Sequence, residues 1–274
     1  MRATDIALIA VVGALGLFVA SQVVTRQPTV NTPPPPPRAP APAAAAAVSP
    51  AAATLAAGAD VDADSTDIAT STIKSSATAP TRDLKQILAR IAETPGTYMT
   101  EMIADLNGHL VRWPDRRQEG LRVWVQSETP VPNWDPRYAQ MARDAFDDWG
   151  RDAELPMRFD FVLDSASSDI RVLWIDHFAA TLGQRVGVTR RTSDQFGWLV
   201  DAQLIVAIHD SAGRSIPPPA LAGIVRHEAG HALGLGHSKD QRTKMYPTET
   251  RSDISPADRS TIRLLYQLPP GQAR

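Results

Sequence analysis

Residues 227–237 read His227-Glu228-Ala229-Gly230-His231-Ala232-Leu233-Gly234-Leu235-Gly236-His237, and the rest of the chain is best approached from here. On a helix, His227 and His231 lie one turn apart on a single face. Two imidazoles so placed can share one zinc ion at about 2.0–2.1 Å. His237 comes six residues later, and a continuous helix would rotate it by about 240° away from that ion. The helix must therefore stop between His231 and His237. Gly234 can adopt the left-handed conformation that ends helices, and Gly236 adds further freedom. The chain can then turn back and bring a third imidazole to the same metal. Glu228 is not positioned as a ligand but can reach a water held at the open coordination position. A histidine-bearing helix without a metal is the plainer reading of the first two histidines alone. A glycine and a third histidine at fixed offsets make that coincidence rare, on the order of one in ten thousand given average residue usage.

Outward from this helix the sequence predicts five strands and two further helices. Leu121 to Val125 reads as a strand. Asp135 caps a helix with Pro136 in its first turn and Gly150 at its end, with Tyr138, Met141, Ala145, Phe146 and Trp149 as its apolar face. Met157 to Leu163 and Ile170 to Ile175 follow as strands. Val186 to Thr189 and Trp198 to Ile208 are two more, joined by a polar turn over Arg190 to Gly197. Ser255 to Asp258 opens a last helix with a capping-box pattern, its core face made by Ile262, Leu265 and Tyr266. The expected fold is α+β, a mixed and mostly parallel five-stranded sheet with an active-site helix and a C-terminal helix.

Toward the N-terminus the character changes. Ile6 to Val24 is a largely apolar run without a charge, between Arg2 and Arg26. It spans roughly 29 Å as a helix, near the thickness of a bilayer's hydrocarbon core. Residues 1–26 are expected to be a signal anchor or a cleaved signal peptide, and either places the remainder outside the cytoplasm, periplasmic, at the cell surface or secreted. Residues 27–80, with Pro33 to Pro37 in a row and alanine-proline mixtures after it, are expected to be a disordered linker reaching roughly 40–170 Å. Asp60, Asp62 and Asp64 read as part of that solvated stretch. Leu84, Ile87, Leu88 and Ile91, then Tyr98, Met99, Met102, Ile103 and Leu106, mark two helices in a spacer over 81–109 that either packs on the following domain or holds it off. That domain covers 110–274.

The chain has no cysteine, which removes disulfides, thiolate ligands and thiol nucleophiles together. Its net charge of −2 offers no basic excess for nucleic acid. The expected partner is a protein or peptide substrate, with the membrane engaged only through the N-terminal segment.

The pattern of three histidines, Glu228 and Gly234 resembles the signature of the metzincin zinc endopeptidases. Ser238 and Met245-Tyr246-Pro247 resemble the matrixin branch, peptidase family M10. Ser168 to Val172 resembles that branch's third strand, and Asp258 to Tyr266 its closing helix. The resemblance implies an endopeptidase with one catalytic zinc on His227, His231 and His237, Glu228 as general base, and Met245 packed beneath the histidines. It also implies a cleft rim near Val186 to Thr189 that takes an extended substrate by strand addition, and a specificity pocket shaped by Thr248 to Asp253, Arg251 included. Calcium is common in such proteins, but no complete site is readable. Asp176-His177 and His209-Asp210 are the candidates for a structural zinc. The cysteine that plugs the metal in latent matrixins has no counterpart, so any latency needs another device.

Overall fold

A computed structural model describes residues 67–248 and 252–273. The expected membrane segment, most of the linker, Asp60, Asp62, Asp64 and Arg251 lie outside them. Among the described residues no helix is long and apolar enough to cross a membrane.

Among the described residues the architecture is mixed α/β, with a mainly parallel sheet and five α-helices. In chain order the elements are β1 (Ile68–Ile73), α1 (Leu84–Glu93), α2 (Met99–Asp105), β2 (His109–Leu110), β3 (Arg116–Val125) and α3 (Arg137–Ala153). Then come β4 (Met157–Val162), β5 (Ile170–Ile175), β6 (Gly187–Asp194), β7 (Leu199–Ala207), α4 (Pro218–Ala232), α5 (Pro256–Gln267) and β8 (Gly271–Gln272). The main sheet runs β1-β6-β7-β5-β3-β4. β6 is antiparallel to β7, and all other pairings in that sheet are parallel. β2 and β8 form a separate antiparallel pair.

The sheet has six strands rather than the expected five. The extra one, β1, comes from a stretch read as linker. Ile68 to Ile73 (IATSTI) is rich in β-branched residues, which suit a pleated edge. Its side chains are mostly exposed, so hydropathy gave no core signal there. β6 is also longer than expected, running through Arg190 to Asp194 instead of turning there. Its burial is nearly continuous despite polar residues, because β1 covers its outer edge.

α3 passes Gly150 and ends at Glu154, which takes the left-handed conformation with φ 52°. Gly150 serves packing instead: a Cβ there would press on the Phe159 ring at 3.0 Å. Asp135 accepts from Arg137 N at 2.9 Å, as a capping residue does. Alternation in β5 buries Ile170, Val172 and Trp174 on one face. Trp113, Phe146 and Trp149 are wholly buried in the core, each contributing about 1.5–3 kcal/mol by burial of apolar area. Asp169 clamps β3 to β5: it accepts from Arg122 N, Nε and Nη2 at 2.9, 3.1 and 2.9 Å, and from Arg116 Nη1 at 2.8 Å.

The two helices read as a spacer share this core. Ile87, Tyr98, Met99, Met102 and Ile103 are buried in the same apolar cluster as the residues after 110. α2 packs on α5, and Tyr98 binds both Thr261 and Asp258 of that helix. Of the two possibilities, the structure takes the packed one.

Candidate metal centre

α4 carries His227, Glu228 and His231, and packs on α3, β6 and β7. Its end follows from its glycine. Gly234 has φ 110°, Gly234 N donates to His231 O at 3.0 Å, and Leu235 N donates to Gly230 O at 3.0 Å. This is the paired-bond helix terminus that a left-handed residue produces. The remaining carbonyls of the last turn, which a buried helix end cannot leave bare, are taken by distant side chains. Trp113 Nε1 donates to Ala232 O at 2.8 Å, Tyr266 OH to Leu233 O at 2.9 Å, and Arg191 Nη1 to His231 O and Leu235 O at 2.9 and 3.2 Å. Burial pulls Arg191 down to about 10, so it stays charged at neutral pH beside the negative end of the helix dipole.

The turn at Gly234 brings His237 back to the first two histidines. The Nε2 atoms of His227 and His231 are 2.9 Å apart. Each ring's other nitrogen faces an acceptor. His227 Nδ1 is 2.8 Å from Lys244 O, His231 Nδ1 3.0 Å from Leu235 O, and His237 Nδ1 3.3 Å from Asp105 Oδ2. A proton held on Nδ1 leaves the Nε2 lone pair for a cation.

A fourth donor joins them from a distance in sequence. Asp67, directly before β1, places Oδ2 3.1 Å from His227 Nε2. Its Oδ1 lies 3.4 Å from His231 Nε2 and 2.9 Å from His237 Nε2. Donor atoms of these four residues all lie within 4.8 Å of one another, the one such cluster among the described residues that could hold a metal ion. Tetrahedral zinc at its usual bond length separates its ligand atoms by about 3.3 Å, close to these spacings. His237 Nε2 and Asp67 Oδ1 are buried and 2.9 Å apart, yet make no hydrogen bond of proper geometry. Lone pairs aimed at a common point between them give that pattern, so the donor set fits zinc.

The electrostatics of the four are interlocked. Burial lowers His231 to about 3, against the pull of Asp67. Burial also opposes charge on His237, but the neighbouring carboxylates of Asp105 and Asp67 outweigh it and raise that ring to about 9. Burial alone would raise Asp67; the charge of His231, the hydrogen bond with His227 and the nearness of the His237 ring hold it well below the usual carboxylate range.

Glu228 is buried beside the cluster. Its Oε2 accepts from Thr189 Oγ1 on β6 at 2.6 Å. A Cβ at Gly187 would collide with Oε1, so a glycine there leaves the carboxylate its place. Below the histidines lies Met245, wholly buried: a Cβ on Gly230 would meet Met245 Sδ at 2.5 Å and Trp149 Cζ2 at 2.9 Å. Asp258 fixes that turn, accepting from Lys244 N at 2.7 Å and Ser255 N at 2.8 Å. Asp105, at the end of the expected spacer, accepts from His237 N at 2.9 Å as well as facing its ring.

The second histidine group does not converge in the same way. His209 Nδ1 is 2.6 Å from Asp176 Oδ1, and His209 Nε2 faces Asn133 Nδ2 at 3.3 Å, so both ring nitrogens have protein partners. Asp210 turns instead to Arg214. The expected pocket wall after the methionine turn falls partly outside the described residues, Arg251 among them.

The family model described as matrixin, of peptidase family M10, matches residues 200–267. That span starts in β7, takes in α4, the glycine turn, His237 and Met245, and ends with α5. The domain is matrixin-like. Matrixins are zinc metallopeptidases, and the donor set of this matrixin-like domain suits that metal. No curated protein matches the chain. Asp67 and Asp105 were missed in the sequence. The one available signal was the β-branched run after Asp67, interrupting a tract of small and proline residues.

Proposed function

We propose that the protein is a zinc-dependent endopeptidase in which His227, His231 and His237 hold the metal and Glu228 is the general base. The observation that carries the reading is the convergence of three Nε2 lone pairs, each ring oriented through its other nitrogen, next to a buried carboxylate that is not itself among the cluster's donors. A purely structural metal would need no such neighbour.

When bound, zinc supplies a Lewis acid that polarises a peptide carbonyl and brings the pKa of a water toward neutrality. Glu228 takes the proton of the attacking water and passes it to the departing amine. Thr189 Oγ1, donating to Oε2, steadies the carboxylate between those two transfers. Met245 and Trp149 support α4 from below and keep the His227–His231 pair rigid. An extended substrate binds by strand addition along the outer edge of β6, in the place β1 takes in this structure. The substrate is a protein or peptide outside the cytoplasm, a location supported by the apolar run Ile6 to Val24 and the proline-rich stretch behind it.

Glu228→Ala tests this reading. Chelator-sensitive cleavage of an unfolded protein should fall by about 10²–10⁴-fold, while one zinc per chain remains by metal analysis. Undiminished cleavage, or a wild-type chain without bound metal, would reject it.

A further inference from the structure

We propose that this chain is made latent by its own β1 segment, with Asp67 as a built-in fourth metal ligand that fills the coordination position a water needs. The proposal rests on the metallopeptidase reading above and extends it to the regulation of that site.

Three independent features support it. The first is the carboxylate: both oxygens of Asp67 lie among the three Nε2 atoms, where the attacking water would have to sit. Zinc with three imidazoles has one open position, and a carboxylate held there closes it.

The second is the strand. β1 pairs with β6 in parallel from Ile68 opposite Thr189 to Ile73 opposite Asp194, and Thr189 N donates to Asp67 O at 2.7 Å. This is the edge an extended substrate needs. A peptide docked there competes with six residues of the chain's own backbone.

The third is the set of clasps along the strand. Arg191 holds Thr70 Oγ1 through Nε and Nη2, both at 3.2 Å, with the same guanidinium that caps α4. Ser71 Oγ and Thr192 Oγ1 share a hydrogen bond of 3.1 Å. Gln195 brackets the next turn, accepting from Ser75 N at 2.7 Å and donating to Ser75 O at 2.8 Å. Residues of this kind suit a reversible cover. Every clasp is polar, and β1 beyond Ile68 is exposed, so its loss uncovers little apolar core.

The connector from β1 to α1 leaves Ser76 to Ala79 exposed. Hydrolysis of a peptide bond there, with water adding across it to give a carboxylate and an amine, separates Asp67 from the domain. Only the clasps then hold the strand, and dilution removes it. The absence of any cysteine from the chain leaves the carboxylate as the plug.

The test uses the full chain as wild type, Asp67→Ala and Thr70→Pro, each analysed for zinc. A fluorescent hydroxamate that chelates zinc reports access to the metal without catalysis. Cobalt substitution reports the ligand set through its visible absorption. The proposal expects one zinc in all three chains. It expects hydroxamate affinity about 100-fold higher in Asp67→Ala, as for a site closed about 99% of the time, with altered cobalt bands. Thr70→Pro keeps the ligand but removes the hydroxyl that Arg191 clasps, and should bind the probe at an affinity between the two. Equal probe affinity and identical cobalt spectra across zinc-loaded chains would overturn the latency while leaving the metallopeptidase intact. No zinc in any chain would overturn the metal site itself.

Discussion

At the scale of single residues, the centre depends on groups that never touch the metal. Asp105 holds the His237 ring and backbone at once. Removing such an orienting partner commonly costs 10–100-fold in metal affinity. Asp105→Ala should therefore weaken zinc binding by about that factor in a competition titration, with little change in the far-ultraviolet spectrum. Gly234 is constrained differently. At φ 110° a side chain is strained, and a Cβ would also collide with Val111 O. Gly234→Ala is expected to cost about 1–3 kcal/mol in denaturant unfolding. It should also displace His237, so zinc affinity falls along with stability. A stable variant with unaltered affinity would show that the turn does not depend on glycine. The histidines, Glu228 and this glycine were legible in the sequence because they lie within one turn and one reversal, where backbone geometry sets the distances. Asp105 was not, because nothing local marks a helix-terminal aspartate as the partner of a ring 132 residues away.

At the scale of elements, β3, β4, β5, β7 and the helices α3 and α5 fall where the sequence places them, since each buries a periodic apolar face, whereas the short β8 carries no such pattern. The differences lie where polar contacts decide. β6 reads as a turn after Thr189 because Arg190 to Asp194 are polar, yet pairing on both edges keeps it extended. The clamp of Asp169 on β3 makes a prediction at this scale. Burial would raise this carboxyl, but bonds from Arg122 and the charges of Arg116 and Arg122 hold it below its ordinary value. A depressed carboxylate contributes stability that is complete above its unfolded pKa, near 3.9, and is lost as pH falls through the lower folded value. Asp169→Asn should thus cost about 1–3 kcal/mol at pH 7. The gap from wild type should narrow as pH drops below about 4. Urea midpoints across pH 3 to 7 measure it, and a gap that stays constant to pH 3 would contradict the clamp.

At the scale of the whole molecule, the metal centre joins distant parts of the chain: Asp67 before the first strand, Asp105 at the end of α2, and α4 with its following loop. A ligand that binds only the folded state stabilises it by about 4 kcal/mol when present at a thousand times its dissociation constant. For a domain of this size each kcal/mol moves the melting temperature by roughly 2–4 °C. Stripping the zinc with a chelator should lower the Tm by roughly 10 °C in calorimetry, and restoring zinc should recover it. The division expected at residue 110 is not visible as a seam, because α1 and α2 bury their apolar faces in the core that the later elements build.

The sequence by itself determined the local chemistry: two histidines on one helical face, a base beside them, a glycine that reverses the chain and a third histidine at the right distance. Those relations are set by bond geometry over eleven residues and need no partner. The tertiary structure alone decided what closes the centre. An edge strand presents backbone groups that any extended segment can pair with, so hydropathy does not say which one will. That choice fell to residues 67–73, some 160 positions from the histidines they cover, and only the folded chain brings that carboxylate and those rings together.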